Sequence, residues 1–582
     1  MRDRASRTAL LIAAAYTLLA LVASTTVDFT DDEGMLAYQA SRAFWGAPAA
    51  TFFFLKFRPV GALIGAPGAA FGWRAFLLWH DLLGGASVLL LLRAIFVYAK
   101  TPLTAIAAAL VVVTSPVLFI STLAGQSNVE GIGLFALALN LILAEKTAAA
   151  AFTLSVLPFV RFEYAPWSLG LGLYLLHAQP VRPLFRGALP FPILFLLAGA
   201  VYHQDALWMI HFTPSLPTAE ATSQQFDAIV PTASYVSSSL LLFSVVSPAW
   251  PLAGTFSLQK LDDLGKALLG TLVVVFLMIY VFPFLRVFKF DHTPRYWLVL
   301  LPAFALVLAR QGFERPGSTA MFVLAGLAGI GMLLGLEIED HGIGATIAAA
   351  FSMPLVVTFA GRRGPRAAAV AGAISAVALA GLGFRHEPRM RQPLDISLPK
   401  NGLEDVVRWI GDHRGELAPG AIYSDAHQLD ALLAARGLAS VGPVRFLVPY
   451  DIEYELYHLA DKKNGQYAEM IGALEAGALY GKPLWTCELA ATTRFPGVVF
   501  ITTNDYRLGL SFPAGYWDRV SETIATFGVF TVRRAIAEPA PPAGPEQEVH
   551  LGDPAVTAPC VPEVRAVRAR HTGAVSSGPG SG

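Results

Sequence analysis

Val27-Asp28-Phe29-Thr30-Asp31-Asp32-Glu33-Gly34 sets four carboxylates within six residues, directly after an apolar run from Thr8 to Val27. That run is long enough to cross a bilayer. A charge at hydrocarbon depth is costly, so ionisable residues clustered at a membrane face are functional candidates by default. The bland alternative for this stretch is a solvated loop.

The rest of the chain repeats the apolar theme. Over 582 residues it is 55% hydrophobic and 14% charged, with a mean hydropathy of +0.54. A soluble chain of average makeup is roughly a quarter charged, so the composition predicts a polytopic membrane protein. The formal net charge is zero, and there is no basic stripe, zinc-finger spacing or phosphate-binding glycine loop, which removes the case for a nucleic-acid partner.

Apolar runs of about spanning length occur at Thr8 to Val27, Ala75 to Tyr98, Leu103 to Leu123, Val129 to Leu143, Ala148 to Val160, Tyr164 to Leu176, Leu189 to His203, Tyr235 to Phe256, Ala267 to Leu285, Tyr296 to Ala309, Thr319 to Leu336, Ile343 to Ala360 and Ala367 to Phe384. The expectation is a mainly α transmembrane helix bundle of about thirteen spans, with the two runs flanking Arg161 the weakest. An odd number puts the termini on opposite sides.

Lys and Arg in short loops fix the orientation. With the N-terminus cytoplasmic, Arg2, Arg4, Arg7, Lys100, Lys146, Arg182, Arg186, Lys260, Lys266, Arg310, Arg315, Arg362, Arg363 and Arg366 fall inside. The opposite side receives Asp28, Asp31, Asp32, Glu33, Glu130, Glu220, Asp227, Glu337, Glu339 and Asp340. Arg42, Lys56, Arg58, Arg161, Arg286, Lys289 and Arg295 break the pattern and need another reason to be there. The first run also resembles a signal peptide, but it exceeds the usual apolar core and lacks a clean small-x-small cleavage site, so it reads as a retained first span.

After Phe384 the composition changes. Residues 385–537 predict an extracytoplasmic soluble α/β domain of ordinary single-domain size, and 538–582, rich in Pro, Ala, Gly and Ser, a flexible tail. Asn401 and Glu404 suggest a capping box opening a helix over Leu403 to Arg414. Strands are expected at Ala421 to Ser424, Val498 to Thr503 and Val529 to Arg533, and helices at Gln428 to Ala435 and Ala468 to Leu479. Cys487 and Cys560, the two cysteines, are either a disulfide, which that compartment permits, or two separate thiols. Neither has metal-site spacing, and His386-Glu387 lacks the second His of a metalloprotease helix.

The acidic loop can now be read onward. Asp32-Glu33 is followed by Tyr38, the aromatic cluster Phe52-Phe53-Phe54, then Arg58-Pro59 and Phe71-Gly72-Trp73-Arg74 before the second span. Within 1–384 this loop, 28–74, resembles the first external loop of GT-C membrane glycosyltransferases, in particular the bacterial relatives of the protein mannosyltransferase and lipid A aminoarabinose transferase group. Arg161-Phe162-Glu163 resembles that class's Arg-x-Glu element, and Arg295-Tyr296 with Leu301-Pro302 its Arg-Tyr and Leu-Pro element. Together the motifs cover roughly Met1 to Ala309; each alone is weak.

The resemblance implies an integral membrane glycosyltransferase, in the plasma or inner membrane, that moves a hexose or pentose from a polyprenyl-phosphate donor to an extracytoplasmic lipid, glycan or protein. It implies Asp32 as catalytic residue with Glu33 beside it, and Tyr38, Arg161 and Glu163 as support. A departing phosphate calls for desolvated positive charge, for which Arg58, Arg286, Lys289 and Arg295, with Tyr296, are the candidates. An attacking hydroxyl or amine needs a general base, the role open to Asp32. Some relatives use a divalent metal ion beside the external acids and others do not.

Other readings stand beside these. Arg161 and Glu163 can equally be an ion pair burying two charges between spans. Arg295 and Tyr296 can be interfacial anchors, and Trp45 with Phe52 to Phe54 fits a surface amphipathic helix better than a groove. The competing function is a secondary transporter or flippase for a lipid-linked or anionic substrate, although no repeat between halves is visible and the acids gather on one face rather than at mid-depth. A catalytically dead sensor on the same scaffold is disfavoured by the retention of Asp32, Glu33 and Arg295.

Overall fold

The computed structural model describes residues 2–26, 32–46, 48–53, 58–211, 261–281, 294–311, scattered positions between 360 and 374, and 402–417. Beyond these it describes 422–424, 429, 433, 436–441, 445–447, 484–485, 498–503, 521–528 and 530–536. The chain divides into two compact units, one of residues 1–27, 54–64 and 76–394, the other of 28–53, 65–75 and 395–582.

The first unit is helical. Its leading elements are α1 (Arg2–Thr26), α4 (Pro59–Ala69), whose end passes into the second unit, and α5 (Trp73–Tyr98). They follow α2 (Asp32–Gly46) and α3 (Pro48–Phe53) of the second unit in chain order. The series continues with α6 (Pro102–Val113), α7 (Pro116–Leu123), α8 (Asn128–Leu143), α9 (Thr147–Val156), α10 (Ala165–Ala178), α11 (Val181–Ala188), α12 (Pro190–His203) and α13 (Trp208–His211). Further helices cover Asp263–Val281, Pro294–Trp297 and Leu301–Gln311.

Among the described residues three stretches are long and apolar enough to cross a membrane, Ser6–Thr25, Trp73–Tyr98 and Val181–His203. A fourth is the bent pair formed by α6 and α7, which meet at 49°. The expected runs at 235–256 and 319–336, and most of 343–360 and 367–384, lie outside the described residues. The expected single span from Leu103 to Leu123 is two helices, because Pro116 cannot continue the hydrogen-bond ladder and Ser115 caps the new helix through Leu118 N. Thr101, with Pro102 behind it, caps α6 through Thr104 in the same way.

Two kinds of surface identify a lipid-facing bundle. Leu10, Leu11, Leu18 and Leu19 on α1 and Leu194, Leu197 and Val201 on α12 are exposed, a pattern costly in water and natural in hydrocarbon. Inside, helices approach through small residues, as membrane bundles do in general. A Cβ at Gly84 would lie 2.3 Å from the Thr122 methyl, and one at Gly85 1.8 Å from Thr17 Oγ1. Thr122 is also hydrogen-bonded to Tyr16 Oη at 3.0 Å, tying α1 to α7.

The second unit contains α2 and α3 and, from residue 395 on, a sheet with helix Leu403–Asp412. The six strands are β1 (Ile422–Ser424), β2 (Arg445–Leu447), β3 (Leu484–Trp485), β4 (Val499–Thr503), β5 (Ser521–Phe527) and β6 (Phe530–Ala535), in spatial order β3-β2-β1-β4-β6-β5. The first four run parallel, while β6 and β5 form an antiparallel hairpin edge. Leu403, Val406, Val407 and Ile410 fall on one helical face and are buried with Ile422, Val499, Ile501 and Val532. Each such side chain contributes about 1.5–3 kcal/mol on burial.

The capping box expected at Asn401 and Glu404 is not what opens this helix. Its N-cap is Gly402, left-handed at φ 93°, with no side-chain cap bond, and Glu404 instead accepts from Arg436 Nη2 at 2.6 Å. A Cβ at residue 402 would lie 2.0 Å from the Phe527 carbonyl oxygen, so close approach to the β5-β6 turn selects glycine there. Cys487, Cys560, the expected helix 468–479 and the tail 538–582 lie outside the described residues.

Candidate functional site

The entry turn of α8 is where the first unit's polar side chains meet. α7 closes on Gly125, left-handed at φ 71°, and Ser121 Oγ donates to Gln126 Oε1 at 2.7 Å across the turn. Ser127 and Asn128 then begin α8. Ser127 Oγ accepts from Arg58 Nη1 at 2.6 Å and from Arg161 Nη1 at 3.4 Å. Asn128 Nδ2 donates to the Arg295 carbonyl at 3.3 Å.

Arg161 reaches this turn because the chain breaks around it. Two single 3-10 turns, Leu157–Phe159 and Phe162–Tyr164, follow α9, with Arg161 extended between them and Pro166 opening α10. A helix interrupted at membrane depth is tolerated where the freed groups are buried in protein or face a cavity. Arg161 is 2% exposed and Glu163 3%. Its Nη2 and Nε donate to the two Glu163 oxygens at 2.8 and 3.3 Å, a two-pronged pairing that offsets part of the cost of burying both charges.

A third guanidinium joins from helix Pro294–Trp297. Arg161 and Arg295 each place the guanidinium carbon 5.6 Å from the centre of the Tyr296 ring, within cation-π range. Arg58 itself sits in the left-handed region at φ 53°, an uncommon conformation for a non-glycine residue and the sort of local cost that functional positions carry. Arg58, Arg161 and Arg295 therefore converge on one hydroxyl and one aromatic ring.

Behind this nest lies a second buried polar pair. His80 on α5 and Glu130 on α8 are 0% and 4% exposed, with His80 Nε2 3.1 Å from Glu130 Oε1. Neither ring nitrogen of His80 nor Glu130 Oε2 has a hydrogen-bond partner among the described residues, so the 3.1 Å approach is a close polar contact rather than an aligned hydrogen bond.

Of the residues expected from sequence, Arg58, Arg161, Glu163, Arg295 and Tyr296 are brought together in the first unit. Asp32 and Glu33 are the first two residues of α2, in the second unit. Tyr38 belongs to that unit too, where its hydroxyl accepts from Arg42 Nη1 at 2.8 Å and its ring meets Trp73 edge-on at 5.4 Å. Arg286 and Lys289 lie outside the described residues. Trp45 is exposed and donates to the Ala66 carbonyl at 2.8 Å.

Sequence reading overlooked Ser127, Asn128 and His80, and used Glu130 only as an outward loop acid. The available signal was the polar run Gln126-Ser127-Asn128-Val129-Glu130 at the mouth of an apolar span. Among the described residues no group of three or more His, Cys, Asp or Glu is arranged to hold a metal ion.

The helical bundle with its broken helices has a GT-C fold. The structure is similar to crystal structures of ArnT from Cupriavidus metallidurans. For the apo state the TM-score is 0.50 at 13% identity, over 90% of this chain and 98% of that one. For ArnT bound to undecaprenyl phosphate it is 0.52 at 13% identity, over 91% and 98%. A cryo-EM structure of the mycobacterial arabinofuranosyltransferase AftD aligns over 91% of this chain and 40% of its own at TM-score 0.36 and 16% identity, too distant to bear on the fold. No protein-family model matches the sequence, and no curated protein does.

Proposed function

We propose that this chain is an integral membrane glycosyltransferase that takes a sugar from a polyprenyl-phosphate donor and passes it to an extracytoplasmic lipid, glycan or protein. The observation that carries the reading is the nest of Arg58, Arg161 and Arg295 around Ser127 and Tyr296, within a fold shared with a protein crystallised with undecaprenyl phosphate. Guanidinium groups suit a phosphate because their forked N–H donors match its oxygens, and burial strengthens the attraction.

In this reading an acceptor O–H or N–H attacks the anomeric carbon of the donor. The bond from that carbon to the phosphate oxygen breaks, and the electron pair leaves with the polyprenyl phosphate. The arginines stabilise the charge that grows on the departing oxygen. Asp32 receives the proton lost by the acceptor, as a general base. Glu33 lies beside it in the first turn of α2, and Arg286 and Lys289 are further candidates to meet the phosphate. The reaction face is outward, with the N-terminus cytoplasmic and residues 385–537 extracytoplasmic.

Purified protein in detergent, given a panel of labelled polyprenyl-phosphate sugars and extracted envelope lipids and proteins, should move label to an acceptor and release polyprenyl phosphate. Failure with every donor, together with substrate uptake into vesicles, would replace this reading with that of a transporter.

A further inference from the structure

The His80–Glu130 pair takes no direct part in the chemistry above, yet it is among the most deeply buried ionisable pairs described. His80 is fully buried on α5, packed against the Phe76 ring at 4.6 Å between centroids, and Glu130 stands in the first turn of α8. That same turn supplies Ser127, which receives Arg58 and Arg161, and Asn128, which holds the backbone of Arg295. One turn of helix is thus shared between the pair and the arginine nest.

Glu130 also stands one helical turn on from Ser127, on the same side of α8 as the hydroxyl that receives two of the arginines. Tyr164, 1% exposed, follows Glu163 in the same 3-10 turn and meets α8 one residue beyond Glu130. It packs so tightly on α8 that a Cβ at Gly131 would be 2.4 Å from its ring. A buried carboxylate that loses its partner is strongly driven to find another. The guanidiniums of the nest are held by the same turn of α8, through Ser127 and Asn128.

We propose that His80 is a positioning residue that holds Glu130, keeping this carboxylate from competing for Arg161 and fixing the α8 entry turn so that the nest stays open to a phosphate. The proposal rests on the donor-phosphate reading above. The remaining ionisable group on the same helix turn is Asp81, buried beside His80 on α5. His80 touches no reacting atom, so its effect should appear in donor affinity rather than in the chemical step.

The test is binding of undecaprenyl phosphate to the full chain in detergent, paired with donor KM and kcat. His80→Ala should weaken binding about tenfold and raise donor KM to match, with kcat nearly unchanged. His80→Ala combined with Glu130→Gln should return affinity to within about threefold of the parent, because the competing charge has gone. A merely structural role predicts the opposite ordering, with the double variant at least as weak as the single one. That ordering, or unchanged binding in His80→Ala, would overturn the proposal. Arg295→Ala is the control arm. If it too binds undecaprenyl phosphate normally, the donor-phosphate reading itself has failed. If it loses binding while His80→Ala does not, only the role of His80 falls.

Discussion

Two clusters in the first unit are built from the same parts and do different things. Arg161, Glu163 and Tyr296 combine a guanidinium, a carboxylate and a phenol ring; so do Arg310, Asp262 and Tyr98. In the second, Arg310 Nη2 bonds Asp262 Oδ2 at 2.9 Å and its guanidinium carbon lies 5.2 Å from the Tyr98 ring, while the Tyr98 hydroxyl also donates to Asp262. Arg310 and Asp262 have side chains 36% and 37% exposed, whereas those of Arg161 and Glu163 are 1% and 4% exposed. Tyr98 and His80 stand at positions on α5 about 27 Å apart along the helix axis.

The difference is one of burial and company. One guanidinium on one half-exposed carboxylate makes a tether between helix ends, and such pairs contribute little because water already solvates both charges. Three guanidiniums gathered around one buried hydroxyl and one partly buried ring, with Arg161 itself removed from water, make a candidate phosphate surface, since burial strengthens such an attraction. The same residue types are an anchor in one setting and a candidate site in the other.

The largest expected effect tests whether the nest suffices without a base. Asp32→Asn keeps size and most of the hydrogen-bonding shape but removes the basic carboxylate, so transfer should fall by about 10²- to 10⁴-fold while undecaprenyl phosphate still binds. Turnover equal to the parent, with Glu33→Gln also neutral, would strip the acidic loop of its catalytic role.

A smaller effect sharpens the reading of the arginines. Arg295→Ala should lose turnover by roughly 10- to 100-fold, taking about 1.4 kcal/mol of stabilisation per decade. Arg295→Lys should keep part of it, since a point charge remains without the forked donors. Full activity in the alanine variant would make Arg295 an interfacial anchor, and the contrast between the two clusters would collapse.

The smallest effect belongs to the tether. Arg310→Ala should change stability by about 1 kcal/mol or less, read by thermal unfolding in detergent, and leave turnover alone. A loss of transfer comparable with that in Arg295→Ala would mean that the far end of α5 is coupled to the nest, and that exposure does not separate site from tether.

The helices containing the long apolar runs were legible because hydrophobicity over some 20 residues is a local property. Thr8 to Val27 and Ala75 to Tyr98 reappear as α1 and α5 within a few residues. Strand patterning likewise found β1, β4 and β6 but missed β2 and β3, whose two or three residues are too few to carry a pattern, and β5, an edge strand whose residues are mostly exposed or half-buried and so lack a clear alternation. The break inside Leu103 to Leu123 was available from Ser115-Pro116 and was masked by the uninterrupted apolar character around it.

What the sequence determined alone is the class of molecule: a membrane-embedded bundle with charged residues where hydrocarbon would forbid them, since transfer free energy depends on residue type and run length. It also nominated Arg58, Arg161, Glu163, Arg295 and Tyr296 singly, as charges or neighbours out of place. Only the tertiary structure decided that these five meet at the entry turn of α8, and that Ser127, Asn128, Glu130 and His80 stand with them. Convergence of residues up to 238 positions apart, Arg58 to Tyr296, depends on how helices pack, and a neutral serine or a lone histidine gains significance only from what it touches.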